Sequence, residues 1–529
     1  MKIPATPRLL AVFLTGILYP LCFPNLDFGW LAWIVLIPLH LAIDGLSPKQ
    51  SFWWGWFAGT LGFTGTVSWV ITAMHSYGQV PLIISVLLMI VLASYLGLYV
   101  GIYTLGVSWF KKSGNMIICL AAPSLWVTLE LLRTYLFSGF PWALLGYSQY
   151  QWLTIIQVSD ITGVYGISFL IVLTNVAFAQ AIGWVIDKPS KIVHPFPWQP
   201  ITMTFGFLSL IFLYGVWQLD HYATGNSSAT EIRVGVVQGN IDQARKWDEA
   251  HRQETVNRYD KLSRQATKNT DLLIWPESAT PFFFEREPVY QQQVASIVQD
   301  TQTSLLFGSP TLRRHEDGRP YLFNSAYLLS PQGEIAGRYD KRHLVPFGEY
   351  IPLRSILFFL DKLVVGIGDF QSGIGRLTLT LPQQSNRPPL NFGVAVCFEV
   401  IFPDLVRRMA KEGADFLVTI TNDAWFGDSV APYQHFGMVV FRAVENRVAF
   451  ARSANTGISG FIAPDGRILS TTPIFTQEAL TGAIPLRTTT AFYSQYGDVF
   501  SWACVIILMV CGWIQRHHTH QTDNKTSHS

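Results

Sequence analysis

The sequence predicts a membrane protein in two parts: a multi-span α-helical membrane domain and an α/β layered domain outside the membrane. Hydrophobic residues make up 50% of the 529 residues and charged residues only 14%, whereas soluble domains carry about 25% charged residues. Residues 1–220 contain eight Lys or Arg and six Asp or Glu, against 37 and 35 in the whole chain. Beyond residue 220, short β-branched runs alternate with segments of helical spacing, which is typical of layered α/β domains.

Eight apolar segments are long enough to cross the ~30 Å hydrocarbon core of a bilayer as helices, which takes about 20 residues each. They lie at 8–24, 28–45, 52–74, 81–108, 115–136, 165–186, 202–219 and 497–515. Seven or nine crossings would fit the hydropathy as well. The predicted domains are a membrane domain of about seven helices at 1–220, a soluble domain at 221–495, and a C-terminal span with a short tail at 496–529.

The charges of the short loops predict the orientation of these spans. Alternate loops and both tails carry Lys or Arg, and the intervening loops carry none. Positive charge collects in cytoplasmic loops, so both termini are predicted to be cytoplasmic and residues 221–495 extracytoplasmic. The loop and tail charges are Lys2, Arg8, Lys49, Lys111, Lys112, Lys188, Lys191, Arg516 and Lys525. The net charge of +2 gives no reason to expect a nucleic acid partner.

The soluble domain has a clear alternation of predicted strands and helices. Strands are predicted at 231–238, 271–276, 304–309, 322–330, 390–397, 415–421 and 457–463, and helices at 247–267, 285–302, 401–412 and 433–448. Side chains that follow the strands are candidates for chemistry, because α/β sheets place their sites at strand ends.

Cys397 is the only one of the five cysteines that lies outside the predicted spans. Cysteines of an oxidising compartment usually pair, so a lone thiol there needs a reason. One alternative is a buried, inert residue. However, Cys397 closes one predicted strand and opens the helix at 401–412, and a helix N-terminus favours thiolate and supplies N–H groups for an oxyanion. The sequence therefore predicts a nucleophile, most simply for acyl transfer.

Two further segments offer partners for this thiol. Glu277, in WPESATP (275–281), follows a predicted strand directly, where a partly desolvated carboxylate makes a useful base. Lys341, in RYDKRHLVPFGEYIP (338–352), could stabilise a thiolate and an oxyanion. Taken singly, each could be a solvated surface charge. His343 and His435 remain alternative bases, since a Cys–His pair is also a known arrangement.

The three segments together resemble the Glu-Lys-Cys signature of the nitrilase superfamily. The block of N-terminal spans, the extracytoplasmic domain and the single C-terminal span further resemble the bacterial apolipoprotein N-acyltransferases. VVQGNIDQARKWD (236–248) and GFPWALLGYSQ (139–149) are similar to segments of that family. The resemblance covers essentially the whole chain, and it implies a nitrilase-like α-β-β-α sandwich for the soluble domain.

The resemblance also implies roles for the matching residues. Glu277 matches the family's general base, Lys341 its oxyanion stabiliser and Cys397 its nucleophile. Glu349 matches a second glutamate that orients the site.

Other matching positions are less directly tied to the chemistry. Phe398 and Glu399 follow the nucleophile, and Phe398 stands where a tyrosine is common, so no hydroxyl role carries over. Trp247 and Trp142 match aromatic residues near the substrate entrance, although anchoring at the membrane interface would explain both.

The implied reaction is the phospholipid-dependent N-acylation of the N-terminal S-diacylglyceryl cysteine of lipoproteins, the last step of lipoprotein maturation. It passes through a Cys thioester with ping-pong kinetics and uses no metal or organic cofactor. The implied partners are a phospholipid acyl donor resembling phosphatidylethanolamine and a diacylglyceryl-modified apolipoprotein. The implied location is the bacterial inner membrane, with the soluble domain periplasmic, and nothing requires more than a monomer.

Two other functions are compatible with parts of the sequence. A membrane-tethered amidohydrolase of nitrilase type would share the triad, but a single tethering helix would suffice for it. A transporter with an extracytoplasmic domain would carry ionisable groups within its spans. Only Glu130 and Arg133 do so here, and a structural ion pair explains them.

Overall fold

The computed structural model describes residues 5–111, 114–187, 196–225, 230–266, 270–352, 370–382 and 388–526. Four lysines that contribute to the predicted orientation, Lys2, Lys112, Lys188 and Lys191, lie outside these ranges. The chain divides into two compact units. The first comprises Met1–Ser68, Val86–Asp220 and Asp498–Ser529, and the second comprises Trp69–Ser85 and His221–Gly497.

The helices of the described residues are distributed over both units. They are α1 (Ala5–Leu21), α2 (Ile37–Ala42), α3 (Pro48–Thr66), α4 (Trp69–Thr72), α5 (Leu82–Phe110), α6 (Asn115–Tyr135), α7 (Leu153–Ile156), α8 (Ser159–Thr162), α9 (Val164–Asp187), α10 (Trp198–Gly225), α11 (Arg252–Ala266), α12 (Pro288–Thr301), α13 (Pro403–Lys411), α14 (Ala431–Asn446), α15 (Phe492–Tyr496) and α16 (Val499–Thr526).

Within the described residues, five helices are long and apolar enough to cross a membrane: α5, α6, α9, α10 and α16. A sixth candidate is a pair of helical segments, Pro48–Thr66 and Trp69–Tyr77, that meet at an angle of 52°. These six correspond to the predicted spans from 52–74 onwards. The chain is therefore a membrane protein with several apolar helices in its N-terminal region.

The two predicted spans nearest the N-terminus differ from this pattern. The span at 8–24 is α1, which ends at Leu21, and the span at 28–45 is broken into a 3₁₀ turn at Gly29–Trp33 followed by α2. Prolines explain the breaks, because a proline lacks the N–H that continues a helix and is favoured in the first helical turn. Pro24 follows α1 and Pro38 lies in the first turn of α2. The predicted eight crossings therefore require that Ala5–Leu21, Gly29–Ala42 and the bent pair each cross the membrane.

The second unit contains two six-stranded sheets. Their strands are β1 (Glu231–Gln238), β2 (Leu272–Ile274), β3 (Ser304–Arg314), β4 (Pro320–Leu329), β5 (Ile335–Asp340), β6 (Thr378–Leu381), β7 (Leu390–Val396), β8 (Phe416–Thr421), β9 (Phe450–Ala454), β10 (Gly460–Ile462), β11 (Ile468–Thr471) and β12 (Glu478–Pro485). The strand orders are β12-β1-β2-β3-β4-β5 and β11-β10-β9-β8-β7-β6.

Each sheet has a parallel centre, formed by β1, β2 and β3 in one and by β7, β8 and β9 in the other. Parallel strands are buried on both faces and read as continuous apolar runs. The segments LLI of β2 and FLVTIT of β8 are wholly buried and fit this description. These runs are what the sequence analysis detected as strands.

The two sheets and their helices form the α-β-β-α sandwich that the family resemblance implies. Helices α11 and α12 share a buried apolar cluster with the first sheet, in which Tyr259 stacks on Trp275 with ring centroids 4.9 Å apart. Helix α13 contacts β7 and β8, and α14 contacts β10. The hydroxyl of Ser453, on β9, donates to the carbonyls of Val237 and Ile274 in the other sheet, at 3.1 and 3.2 Å.

The segment Trp69–Ser85 belongs to the second unit, whereas the sequence-based division grouped it with the membrane domain. Its aromatic rings pack on the turn that follows β8. Trp69 meets Phe426 edge-on with ring centroids 4.9 Å apart, and Tyr77 lies 6.1 Å from Trp425. Hydropathy alone assigns such a segment to a span because aromatic side chains serve both environments.

Candidate active site

Glu277, Lys341 and Cys397 each lie just beyond a strand end, after β2, β5 and β7 respectively. Glu277 and Lys341 are 6% and 1% exposed, so neither is a solvated surface charge. Lys341 Nζ lies 3.7 Å from Glu277 Oε1, and the charges of both residues act on the Cys397 thiol. The structure therefore brings the three sequence-predicted residues into one site, in which Glu277 and Lys341 are buried and Cys397 is half-buried.

The Lys341 ammonium joins two carboxylates. Its Nζ donates to Glu349 Oε1 at 3.0 Å, and the Asn324 side-chain amide donates to Glu349 Oε1 at 2.8 Å and to Glu277 Oε1 at 2.7 Å. Burial lowers the pKa of Lys341, but the charges of Glu349 and Glu277 raise it by more, so the net shift is upward. Lys341 therefore stays a cation in this site.

The Glu277 carboxylate is also held from the second sheet. The main-chain N–H of Asn422, just after β8, donates to Glu277 Oε2 at 2.9 Å. Together with Asn324, this bond engages both oxygens of the carboxylate. The Glu277 carboxylate is thus held in one orientation by the protein itself.

Cys397 occupies a strained turn. Its φ is +53°, in the left-handed region, which costs a residue other than glycine roughly 1–2 kcal/mol. A 3₁₀ turn spans Cys397–Ile401, and α13 begins only at Pro403. The expected opening of an α-helix at Cys397 is therefore wrong, because a separate tight turn comes first.

The Cys397 thiol is harder to ionise than an exposed one. Burial raises its pKa most, the Glu277 carboxylate raises it further, and the Lys341 ammonium lowers it by less. The expected stabilisation of thiolate by a helix N-terminus does not outweigh these effects. Cys397 therefore rests as a thiol, and any reaction through its thiolate requires a base.

Glu399 ties the turn of Cys397 to the segment that carries Lys341. One carboxylate oxygen accepts from Val396 N at 2.7 Å. The other accepts from Arg342 N at 2.7 Å, His343 N at 3.1 Å and the Tyr339 hydroxyl at 3.0 Å. Burial raises the pKa of Glu399, and these donors act against that rise.

Two of the other predicted residues lie close to the turn but make apolar contacts. Phe398 is 8% exposed, and its ring meets Phe402 edge-on with centroids 5.2 Å apart. His343 stacks on Phe402 with ring centroids 3.6 Å apart and lies 6.1 Å from the Phe398 ring. His343 is therefore part of an aromatic cluster next to Cys397.

The two predicted tryptophans occupy different units. Trp247 is 48% exposed beside the site residue Lys246, so its predicted place at the substrate entrance stays open to test. Trp142 is 1% exposed within the first unit and stacks near Phe140 with ring centroids 6.3 Å apart. That burial is incompatible with interfacial anchoring of Trp142.

Lys246 is a second buried lysine that the sequence analysis missed. It is 1% exposed, and its Nζ donates to the main-chain carbonyl of Glu277 at 3.1 Å. Burial lowers the pKa of Lys246 to about 8, while the negative charges of Glu277 and Cys397 act in the opposite direction. The motif QARKWD gives no sign of burial, because a lysine next to an exposed tryptophan reads as surface.

The sequence analysis also missed a polar triplet at the end of β8. Thr421 is the last residue of this fully buried strand, Asn422 and Asp423 follow it, and all three are buried. Thr421 Oγ1 donates to Asp423 Oδ1 at 2.7 Å. The sequence could have indicated them, since polar residues at the end of an apolar parallel strand occupy the position where such sheets place their sites.

Comparison with known proteins places this geometry in a family. The N-terminal domain of apolipoprotein N-acyltransferases matches residues 15–177, and the carbon-nitrogen hydrolase domain matches residues 233–493. The chain is 43% identical to an apolipoprotein N-acyltransferase of Geobacter metallireducens over 95% of this chain and 94% of that protein. The chain belongs to the apolipoprotein N-acyltransferase family. It is a membrane acyltransferase whose relatives N-acylate lipoproteins.

Other apolipoprotein N-acyltransferases match over similar lengths. The protein of Methylococcus capsulatus is 33% identical over 91% of each chain, and that of Pasteurella multocida is 29% identical over 95% of this chain and 94% of the relative. Among solved structures, an amidase of the nitrilase superfamily from Nesterenkonia is similar to 50% of this chain and 94% of its own, with 20% identity and a TM-score of 0.38. Saccharomyces cerevisiae Nit3 covers 49% and 93%, with 17% identity and a TM-score of 0.37.

Gly308, on β3, lets the main chain of Glu277 and Ser278 approach closely. A Cβ at this position would lie 2.4 Å from Ser278 N and 2.6 Å from Glu277 Cα. Gly308→Ala is therefore expected to shift Glu277 and to lower N-acyltransferase turnover about a hundredfold. Gly337→Ala, on β5, is the control, because its Cβ would meet only the end of the Leu379 side chain at 3.1 Å. Equal turnover of the two variants would contradict the expectation.

The lowered pKa of Lys246 predicts a pH-dependent effect on stability. Below pH 8 the folded protein bears the cost of a buried ammonium, and this cost disappears as the pH rises from about 8 towards the unfolded value of about 10.4. The free energy of unfolding of the wild type should therefore rise relative to Lys246→Met over this range, by up to about 3 kcal/mol.

Denaturant unfolding in detergent at several pH values measures this difference. Lys261→Met, at an exposed site on α11, is the control. Parallel pH curves for wild type and Lys246→Met would show that Lys246 titrates normally.

Proposed function

We propose that this chain transfers an acyl group from a phospholipid, such as phosphatidylethanolamine, to the N-terminal S-diacylglyceryl cysteine of lipoproteins through a thioester on Cys397. Membership of the family supports lipoprotein N-acylation. The main support for the covalent route is that the strained Cys397 lies in one site with the fixed carboxylate of Glu277 and the buried ammonium of Lys341. Nucleophilic catalysis requires a nucleophile and base in such proximity.

In the first half-reaction, Cys397 Sγ attacks the sn-1 ester carbonyl of the donor and its proton passes to Glu277. The thiol rests protonated, so ionisation and attack are coupled. Lys341 and the main-chain N–H of Phe398 stabilise the tetrahedral oxyanion. When the intermediate collapses, the C–O bond breaks, the lysophospholipid oxygen takes the proton from Glu277, and a thioester remains on Cys397.

In the second half-reaction, the α-amino group of the diacylglyceryl cysteine attacks the thioester. Glu277 accepts a proton from the amine, and the same oxyanion contacts are used again. Collapse breaks the C–S bond and forms the amide, and the Cys397 thiolate recovers its proton from Glu277. Two products released in turn through one covalent intermediate give ping-pong kinetics.

The remaining predicted residues have supporting roles in this scheme. Glu349 keeps Lys341 in place, and Glu399 fixes the turn of the nucleophile. Trp247 is proposed to bind substrate at the surface of the second unit, and Trp142 is proposed as a substrate-binding residue of the first unit. All residues of the described triad come from one chain, which supports a monomer.

The proposed location is the bacterial inner membrane, with the catalytic domain at 221–495 on the periplasmic side and both termini in the cytoplasm. The alternation of charged and uncharged loops supports this orientation. Lipoprotein acceptors and phospholipid donors are both membrane-bound, so a catalytic domain tethered by several helices meets both without releasing either.

Mass spectrometry tests the covalent intermediate. The purified protein is incubated with phosphatidylethanolamine that carries a labelled sn-1 chain, and we expect one acyl adduct on Cys397 that neutral hydroxylamine removes. Adding a diacylglyceryl lipopeptide should move the label into an amide. Cys397→Ala should abolish the adduct, and Glu277→Gln should slow its formation by about a thousandfold or more.

The same experiment separates transfer from hydrolysis. A membrane-tethered amidohydrolase would release labelled free fatty acid and form no labelled lipopeptide. Absence of any adduct on the wild-type protein, with donor present and before acceptor is added, would contradict the thioester route.

Labelling with a membrane-impermeant maleimide tests the orientation. Glu316→Cys introduces a thiol at an exposed position of the catalytic domain, and Lys49→Cys does so at an exposed position in the first turn of α3, in the first unit. In intact spheroplasts we expect labelling of the cysteine at position 316 but not of that at position 49, which should react only after the membrane is permeabilised. The reverse pattern would overturn the proposed orientation.

A further inference from the structure

The structure places a buried histidine against the main chain of the nucleophile rather than against its thiol. His435, on α14, is 0% exposed, and its Nε2 lies 3.2 Å from the carbonyl oxygen of Cys397. We infer that His435 is a positioning residue that donates a hydrogen bond to this carbonyl and holds Cys397 in its left-handed conformation. This inference rests on the proposed role of Cys397 and adds to it a residue outside the triad.

The surroundings of the ring fix a proton on Nε2. Nδ1 lies 3.1 Å from Asp423 Oδ1 and 3.1 Å from Arg452 Nη2. In the neutral ring, Nδ1 accepts from Arg452 and Nε2 carries the hydrogen. In the protonated ring, Nδ1 donates to Asp423 and Nε2 again carries a hydrogen. The remaining tautomer would point a lone pair at the Cys397 carbonyl, so the donor towards Cys397 persists in both favourable states.

Asp423 and Arg452 form a buried ion pair that contacts the His435 ring. Arg452 Nη2 donates to Asp423 Oδ2 at 2.7 Å, and both side chains are 0% exposed. Burial alone would raise the pKa of Asp423, but Arg452 and His435 hold it at about 2. Gly457 makes room for this carboxylate, since a Cβ there would lie 2.2 Å from Asp423 Oδ2. A buried, paired carboxylate of this kind keeps the ring in one orientation.

The same segment also fixes the base. Asn422 N donates to Glu277 Oε2 at 2.9 Å, and the next residue, Asp423, contacts His435. Two consecutive residues after β8 thereby set the positions of Glu277 and, through His435, of Cys397. The relative placement of base and nucleophile depends on one rigid segment, which is what coupled proton transfer and attack require.

His435 therefore does not serve as the alternative base of a Cys–His pair. Its Nε2 is directed at a carbonyl, and its Nδ1 faces Asp423 and Arg452. The two possible roles of His435, base and hydrogen-bond donor, predict different effects of substitution. A base could not be replaced by an amide, whereas a donor to a carbonyl could be replaced by the side-chain amide of glutamine, which reaches about as far as Nε2.

Substitutions of His435 test the inference on the full-length enzyme in detergent. We expect His435→Asn, whose amide reaches only to the position of Nδ1, to slow single-turnover acylation of Cys397 by phosphatidylethanolamine about a hundredfold. His435→Gln should stay within about tenfold of the wild type, and KM for the donor should change less than kcat in both. Val439→Ala, a buried change on the same helix, is the control for lost stability.

Two further measurements are made on each variant. One is its melting temperature, and the other is the rate at which iodoacetamide alkylates Cys397, followed by mass spectrometry. The inference is overturned if His435→Asn acylates as fast as Val439→Ala, or if His435→Gln is as slow as His435→Asn. Should His435→Asn fail to fold, a hundredfold loss in His435→Gln at an unchanged melting temperature would overturn it. Failure of the wild type to form an adduct would instead refute the thioester route, and alkylation rates would still test His435.

Discussion

The buried ammonium of Lys341 is the interaction on which the rest of the site depends. Asn324 brings the carboxylates of Glu277 and Glu349 to within hydrogen-bonding distance of one amide group. Two carboxylates at such a short distance repel each other, and this repulsion favours protonation of one of them unless a cation is present. Lys341 supplies that cation, and its own pKa is raised in return. Without Lys341, the two carboxylates would lie this close together with no cation between them to offset their repulsion.

The site is also a junction between the two sheets. Asn455 follows β9, and its side chain donates to Asn422 Oδ1 at 2.9 Å and to Ile241 O at 2.8 Å, while accepting from Ile241 N. Ser453 makes a further link from β9 to the first sheet. Buried polar networks of this kind are costly unless their groups are satisfied, and once satisfied they specify one arrangement. The sandwich and the site are therefore held by the same bonds.

The parts of the fold that sequence predicted were those governed by apolar periodicity. The parallel strands β1, β2, β7 and β8 and the helices α11 to α14 were found because their buried faces are continuous. The strand β9 was missed because Arg452 and Ser453 lie within it, and both are buried for reasons that concern the site. The short helices near the N-terminus were predicted too long, since hydropathy does not register how prolines divide an apolar run.

The residues of the candidate site also differ in whether the sequence alone could predict them. Glu277, Lys341 and Cys397 could be predicted because each follows a recognisable strand or motif. Asn324 and Lys246 could not, and His435 was predicted only as an alternative base, because their contributions depend on what lies opposite them in three dimensions. Asn324 stands in the middle of β4 and Lys246 in an irregular loop. Neither position has a local pattern that distinguishes a buried polar residue from an exposed one.

The raised pKa of Cys397 has a consequence for the lifetime of the enzyme. Oxidants and disulfides react with thiolate far faster than with thiol, and irreversible oxidation begins from the same species. A thiol that stays protonated offers little thiolate to these reagents. On the periplasmic side proposed for this domain, the raised pKa of Cys397 therefore also protects its thiol from oxidation.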